Sequence, residues 1–223
     1  NAFPRKCHIL EDNCESLGAE YNDRKAGSFG VMASHSTFFS HHMCTMEGGV
    51  VTPNDEYLYQ MLLSLRSHGW TRGLPEKNLL NAKVESYNFI YPGYNVRPTE
   101  MQCAIGLKQL EKLPQFIEAR RENASKFPLK TQKETGKSSW FGFAVFDADV
   151  ERVSKICETR PVVTGNFLRS PSIKYYDYEV FGKIENADYI HDNACFIGNS
   201  HQRIDWSSLG IIKNDSKEQV QHE

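Results

Sequence analysis

Between Ser36 and Gly49 the chain runs Ser36-Thr37-Phe38-Phe39-Ser40-His41-His42-Met43-Cys44-Thr45-Met46-Glu47-Gly48-Gly49. Two adjacent imidazoles follow a hydroxyl-rich, aromatic run, and an acidic residue with two glycines closes the segment. Histidine is the side chain whose proton moves most easily near neutral pH, and glycine lets a backbone turn sharply or approach a ligand closely. This is the composition of a ligand-facing loop with a base in it. The same pair of imidazoles also fits a surface loop or a structural hydrogen bond, and His42 in particular reads as a residue that packs.

Such a loop needs elements to hold it. Cys7-His8-Ile9-Leu10 is short and apolar and ends in Glu11-Asp12-Asn13, which predicts a buried strand whose polar end reaches the surface. In open α/β sheets ligands sit outside the carboxyl ends of strands, so Asp12 is where a functional carboxylate is expected; a helix N-cap is the alternative reading. Val31 to Phe39 predicts a second strand that delivers the histidine segment to the same sheet edge. Gly49-Val50-Val51 reads as a return strand, and Thr52-Pro53 as the opening of a helix whose apolar positions are Leu58, Met61, Leu62 and Leu65. Its end delivers His68-Gly69-Trp70-Thr71-Arg72 into a polar loop, where cations also suit a helix terminus.

Gly73 to Tyr91 predicts loop, with one short strand near Tyr87-Ile90, and Pro92 to Pro98 is laden with turn residues. Thr99-Glu100-Met101-Gln102 then has capping-box spacing. Met101, Ala104, Ile105, Leu107 and Leu110 give that helix an apolar face, and Leu113-Pro114 is expected to break it before a polar helix that runs to about Lys126. The remainder predicts a small α+β unit, with a strand over Ser139 to Val145, a helix from Asp149 to Cys157 and a strand over Arg160 to Val163 leading to Thr164-Gly165-Asn166-Phe167. Tyr175, Tyr176, Tyr178, Tyr189 and the polar tail after His201 belong on its outside.

With 223 residues the chain can bury one large or two small cores, and 26 basic against 28 acidic residues leave no charge excess to suggest a nucleic-acid or membrane surface. No apolar run approaches the roughly 20 residues that span a bilayer. A cytoplasmic protein is the expectation. Cysteines at 7, 14, 44, 103, 157 and 195 form no CxxC pair, which signals neither a zinc site nor an iron–sulfur cluster. The opening Asn1-Ala2-Phe3-Pro4-Arg5-Lys6 carries no initiator Met and leads at once into an apolar run, as a chain that begins inside a domain would.

Taken in order, Glu11 to Ala19, Ser40-His41-His42, Thr45 to Gly49, His68 to Arg72, Pro92 to Pro98, Ser138 to Phe143 and Arg160 to Phe167 resemble the vitamin B6-dependent nucleotide-sugar aminotransferase and dehydratase family. The resemblance covers nearly the whole chain. It implies an α/β, aspartate-aminotransferase-like (type I PLP) fold lacking the N-terminal part of its large domain, plus a small C-terminal α+β domain. Residues 1–112 would be the partial cofactor-binding domain and residues 113–223 the small one. Family aminotransferases carry a lysine at position 41, six residues before the Glu-Gly-Gly, that bonds covalently to pyridoxal phosphate. Histidine cannot form that stable link, and its presence resembles the dehydratase branch, which uses pyridoxamine phosphate.

The resemblance implies removal of the C3 hydroxyl from a nucleotide-linked 4-keto-6-deoxy sugar, GDP-4-keto-6-deoxymannose first among them, with glutamate regenerating the amine cofactor. His41 would be the catalytic base and acid, Asp12 would pair with the cofactor's ring nitrogen and Ser36 with its phosphate. Asn95 would reach the phosphate in the neighbouring subunit, which implies a homodimer with shared sites. His68, Arg72 and Arg160 would bind sugar, diphosphate or glutamate. The family's glycine-containing phosphate turn has no counterpart here. A CDP-sugar dehydratase and a truncated, non-catalytic dimerising remnant are the alternatives; the closely spaced cluster cysteines of the former are absent.

Overall fold

The computed structural model describes residues 7–146, 148–155, 159–162 and 165–206. The expected strand end at Val163, the residue Thr164, the helix end at Cys157 and the tail from 207 onward lie outside the described residues, as do positions 1–6. The chain divides into two compact units, one of residues 1–118 with 135–139, the other of residues 119–134 with 140–223.

In the first unit, β1 (Leu10–Asp12), β4 (Met32–Ser36) and β5 (Gly49–Pro53) form a sheet in the order β1-β4-β5, parallel between the first two and antiparallel between the last two. A hairpin of β2 (Glu20–Tyr21) and β3 (Arg24–Lys25) lies between β1 and β4 in sequence, and Asn22 and Asp23 take the positive φ of its tight turn. The predicted burial of β1 is corrected here. Ile9 and Leu10 are 44% and 66% exposed, because β1 is the sheet's edge and nothing among the described residues covers that end.

The helix α1 (Glu56–Leu65) does not open at Pro53. Pro53 closes β5, a terminal strand that tolerates a missing donor, and Asp55 is the N-cap, its carboxylate accepting from Leu58 N at 3.0 Å. The next helix, α2 (Glu100–Ser125), begins as expected: Gln102 N donates to Thr99 Oγ1 at 3.3 Å and Thr99 N to Gln102 Oε1 at 2.9 Å. Pro114, however, does not break it. Proline forfeits one hydrogen bond to the carbonyl of residue 110, but both Pro114 and Leu110 are exposed, so water can serve that carbonyl within an otherwise continuous helix.

The second unit holds β6 (Gly142–Phe146), β7 (Arg160–Pro161) and β8 (Ala194–Gly198), antiparallel in the order β6-β8-β7, with α3 (Ala148–Ser154) and α4 (Glu185–Asn193). Phe143, Val145, Val153, Cys195 and Ile197 form its core with Phe127 and Trp206. The Phe127 and Phe143 rings stack at 4.0 Å, and Trp206 meets both edge-on. Asn123 ties the ends together, accepting from Ile204 N and from Trp206 Nε1. Tyr175, Tyr176, Tyr178 and Tyr189 are exposed, as expected for helices and loops on the outside of this unit. Among the described residues no helix is long and apolar enough to cross a membrane.

Candidate active site

The parallel register of β1 and β4 sets Asp12 opposite Ser34, with Ser36 two residues further along the same strand face. Asp12 Oδ1 accepts from Cys14 N at 3.1 Å. Hydrogen bonds from the Cys14 thiol and N–H, together with one from Ser34, outweigh burial and hold Asp12 below the usual carboxylate range. The Cys14 thiol is pushed up in turn, first by that bond and then by burial and the Asp12 charge. Asp12 is thus a standing anion, exposed at the carboxyl end of a parallel strand pair. Ser36 Oγ accepts from Phe38 N at 3.2 Å, so its own O–H remains a donor for an external oxygen.

From Ser36 the chain enters the 37–48 loop. Thr37 N donates to Gly48 O at 3.0 Å and Thr45 N to Thr37 O at 2.8 Å, which closes its neck, and the Thr45 and Thr37 hydroxyls meet at 2.6 Å. Within it, Phe38 to His41 make a turn through His41 N to Phe38 O at 3.0 Å, and the Phe38 ring stands edge-on to the His41 ring at 6.2 Å. His41 is half-buried, whereas His42 is 1% exposed with Nε2 lying 3.1 Å from the carbonyl of Ser139. A carbonyl only accepts, so Nε2 of His42 carries its proton and the ring is a structural pin.

The helix α2 braces this loop with a polar stripe. Gln102 Nε2 donates to Glu47 O at 2.8 Å, Cys44 N donates to Gln109 Oε1 at 3.3 Å, and between them Gly106 lies so close that a Cβ would stand 3.0 Å from Thr45 Cγ2. The apolar positions Met101, Leu107 and Leu110 are the exposed ones. Glu11 anchors the other approach: Oε2 accepts from Gly27 N at 2.7 Å, and Oε1 from Phe29 N and Gly30 N, each at 2.6 Å. Burial raises its pKa, but these three bonds and Asn13 outweigh it and leave the net shift downward.

His68, Arg72 and Asn95 gather elsewhere in the first unit, where residues 65–72 and 88–97 are joined backbone to backbone. His68 N donates to Tyr94 O and Tyr94 N to Leu65 O, both at 2.7 Å, and Val96 N donates to Arg66 O at 3.0 Å. Gly69 (φ +79°) and Gly93 permit the close approach, since a Cβ on Gly69 would fall 1.8 Å from Tyr91 O and one on Gly93 2.2 Å from Gly69 N. Asn95 Oδ1 accepts from Arg97 Nε at 3.1 Å, and the Arg72 guanidinium lies 5.1 Å from the Trp70 ring centre. Arg160 belongs to the second unit, on β7, with its guanidinium over the Phe196 ring at 4.0 Å. The loop-holding roles of Glu11, Gln102 and Gln109 were not read from the sequence, although Glu11 opens one of the blocks that carry the family resemblance.

The model of the DegT/DnrJ/EryC1/StrS aminotransferase family matches residues 4–192. The chain belongs to that family. Among its members, the GDP-4-keto-6-deoxy-D-mannose 3-dehydratase of Yersinia pseudotuberculosis is 48% identical over 92% of this chain and 58% of its own length. The E. coli GDP-4-keto-6-deoxy-D-mannose 3-dehydratase with bound hydrated PLP superposes with a TM-score of 0.84, at 44% identity, over 92% of this chain and 59% of that one. A GDP-4-keto-6-deoxymannose 3-dehydratase structure with a trapped PLP-glutamate geminal diamine gives the same TM-score and identity over 93% and 60%. The type I PLP fold expected from the sequence is therefore the fold of this family member, and the chain spans less than two thirds of the length of these relatives.

Proposed function

We propose that this chain carries the proton-handling part of a pyridoxamine/pyridoxal phosphate-dependent nucleotide-sugar 3-dehydratase, which removes the C3 hydroxyl from a GDP-linked 4-keto-6-deoxyhexose, 4-keto-6-deoxymannose above all. The observation that carries the reading is a histidine, rather than a lysine, at position 41, in a braced loop that leaves the same strand end as Asp12 and Ser36. The donor set fits the cofactor. A standing carboxylate suits a protonated ring nitrogen, and a hydroxyl with its proton to spare suits a phosphate oxygen.

Pyridoxamine phosphate, when bound, supplies the amine that condenses with a 4-ketone and the electron sink that lets a hydroxyl leave from C3. Asp12 keeps the ring nitrogen charged, and Ser36 helps seat the phosphate. His41, unable to make a lasting covalent link to an aldehyde, is free to take a proton from the cofactor's C4′ carbon and to give one to the departing C3 oxygen. His68, Arg72 and Arg160 are the proposed contacts to sugar, diphosphate or glutamate, the last regenerating the amine form. The relative captured with a glutamate adduct supports that role. Asn95, whose Oδ1 already accepts from Arg97, keeps its amide N–H groups for the cofactor phosphate of a second subunit, which makes the working form a homodimer.

The test is an absorbance titration of the purified chain with pyridoxamine phosphate and with pyridoxal phosphate, beside a His41→Lys variant. Saturable binding of both forms is expected, with a covalent-adduct band from pyridoxal phosphate in the lysine variant alone. Absence of saturation in both proteins sinks the reading for these 223 residues.

A further inference from the structure

Residues directly opposite one another on paired strands share a face, and Phe196 on β8 lies opposite both Ala144 on β6 and Arg160 on β7. Its neighbours Cys195 and Ile197 belong to the core, so alternation sends Phe196 to the sheet's other side. There the ring is half-buried against a glycine: a Cβ on Gly142 would collide with Phe196 Cζ, and the Phe141 ring stands beside it at 5.8 Å. On this platform lies the Arg160 guanidinium, 4.0 Å from the ring centre.

Exposed arginines are usually just solvated, and Arg169 in the same unit shows the other ordinary arrangement, clasped by Asp188 and Asp192 at 3.8 and 2.6 Å. Arg160 fits neither pattern. Its flat face is held by a ring, and among the described residues no carboxylate pairs with it. Stacking occupies the face of a guanidinium and leaves the donors at its edge, the fork that meets a carboxylate or phosphate two oxygens at a time. A side chain already laid out on a ring also loses less freedom when an anion arrives. We propose that Phe196 is a positioning residue, which presents the Arg160 guanidinium edge-on to a substrate oxyanion while Gly142 leaves the room the ring needs. This rests on the contact role proposed above for Arg160 and adds the two residues that set its geometry. The oxyanion is a carboxylate of glutamate or a phosphate of the nucleotide sugar.

The test reads the Arg160 Nε–H resonance by NMR of the full chain labelled with 15N-arginine, Arg160→Gln supplying the assignment. The Phe196 ring is expected to shift that proton upfield in the parent, and Phe196→Leu, which keeps an apolar side chain over Gly142, to remove the shift. Titration with glutamate, GDP and guanosine then follows, with affinities taken by calorimetry. Saturable movement of the resonance is expected with glutamate or with GDP, which tells carboxylate from phosphate, and none with guanosine. Phe196→Leu should weaken that affinity about two- to fivefold, the ratio that an exposed cation–π contact supports. Arg160→Lys, which keeps the charge without the flat face and leaves Phe196 intact, should weaken it at least as much. Val150→Ala trims the packing on the core face of the same sheet and should leave it unchanged. No saturable response to either anion in the parent, an Nε–H position unaltered by Phe196→Leu, or equal weakening by Val150→Ala overturns the proposal. Pyridoxamine phosphate is expected to bind the parent and Phe196→Leu equally, and a selective loss in the variant would assign Arg160 to the cofactor and overturn it as well. Anion binding through Arg160 without any cofactor binding would keep the positioning role and remove the dehydratase reading; cofactor binding with no anion response at Arg160 would do the opposite.

Discussion

Replacing Glu11 with glutamine tests whether the loop that enters β4 is held by one carboxylate. Both oxygens are committed, Oε1 to Phe29 N and Gly30 N, Oε2 to Gly27 N and Asn13 Nδ2. Glutamine keeps a single acceptor, which can stay with Phe29 and Gly30, and then sets an NH2 against the N–H of Gly27. Two bonds to the carboxylate are lost, the short one from Gly27 N and the long one from Asn13 Nδ2, and both donors are left facing an NH2. Hydrogen bonds to charged groups contribute about 1.5–3 kcal/mol, and with the short Gly27 bond dominating and the 3.4 Å Asn13 contact adding little, the loss is about 2–3 kcal/mol. Amide hydrogen exchange read by mass spectrometry is the assay, because it reports this loop without requiring the whole chain to unfold in one step. At about 1.4 kcal/mol per decade, exchange at Gly27, Phe29 and Gly30 is expected to accelerate roughly 30- to 150-fold in Glu11→Gln. The parent should lose the same protection on acidification, since a lowered folded pKa gives stability that is present above the carboxyl's ordinary 4.5 and lost as pH falls through the folded value. Unchanged protection of these three amides in the variant, or an acid-induced loss that persists in it, would refute the account.

Two further outcomes follow from the same unit. Gly69→Ala places a Cβ against Tyr91 O at a φ of +79° and disturbs the bonds from Gly69 N to Ser64 O and from Ile90 N to Gly69 O, so a loss of about 3–4 kcal/mol is expected in urea unfolding followed by tryptophan fluorescence, while Gly73→Ala, with open space around it, should change little. His35 is buried beside Thr52 Oγ1, and burial lowers its pKa from 6.5 against the opposing pull of Glu11; its folded form is therefore neutral, so stability should begin to fall as pH drops below about 6.5, and a urea series across pH 7.5 to 5 on His35→Gln should lose that first decline.

Local signals were legible in the sequence wherever the physics is local. The Thr99 and Gln102 box needs three residues of spacing and an apolar run, and it forms as read. β4, its return strand β5, and the arrival of Asp12 and Ser36 at the same strand end also follow from short patterns. Proline misled twice, because its effect depends on surroundings the sequence does not display: Pro53 ends a terminal strand, and Pro114 sits on a helix face open to water. The apolar letters of Ile9 and Leu10 suggested burial, although an edge strand buries only what a neighbour covers. β8 passed unnoticed, its short run Ala194 to Ile197 being too brief to tell from the end of a helix. Glu11, Gln102 and Gln109 owe their roles to partners 16 to 65 residues away, and no window on the sequence contains both ends of such a bond.

Those same distances set an order of assembly. The neck of the histidine loop can close as soon as Gly48 exists, but its brace waits for Gln102 and Gln109, and the pin under His42 waits for Ser139, 97 residues further on. During synthesis at about 5–20 residues per second, several seconds separate the appearance of His41 from the arrival of the last group that holds its neighbour. Until Gln102 and Gln109 arrive, the imidazoles and the flanking Phe38 and Phe39 sit on a loop closed only at its neck, and His42 stays unpinned until Ser139 follows. The segment with the most chemistry is thus the last of its surroundings to be fixed, and a nascent chain stopped before residue 139 would present those rings without the contact that buries His42.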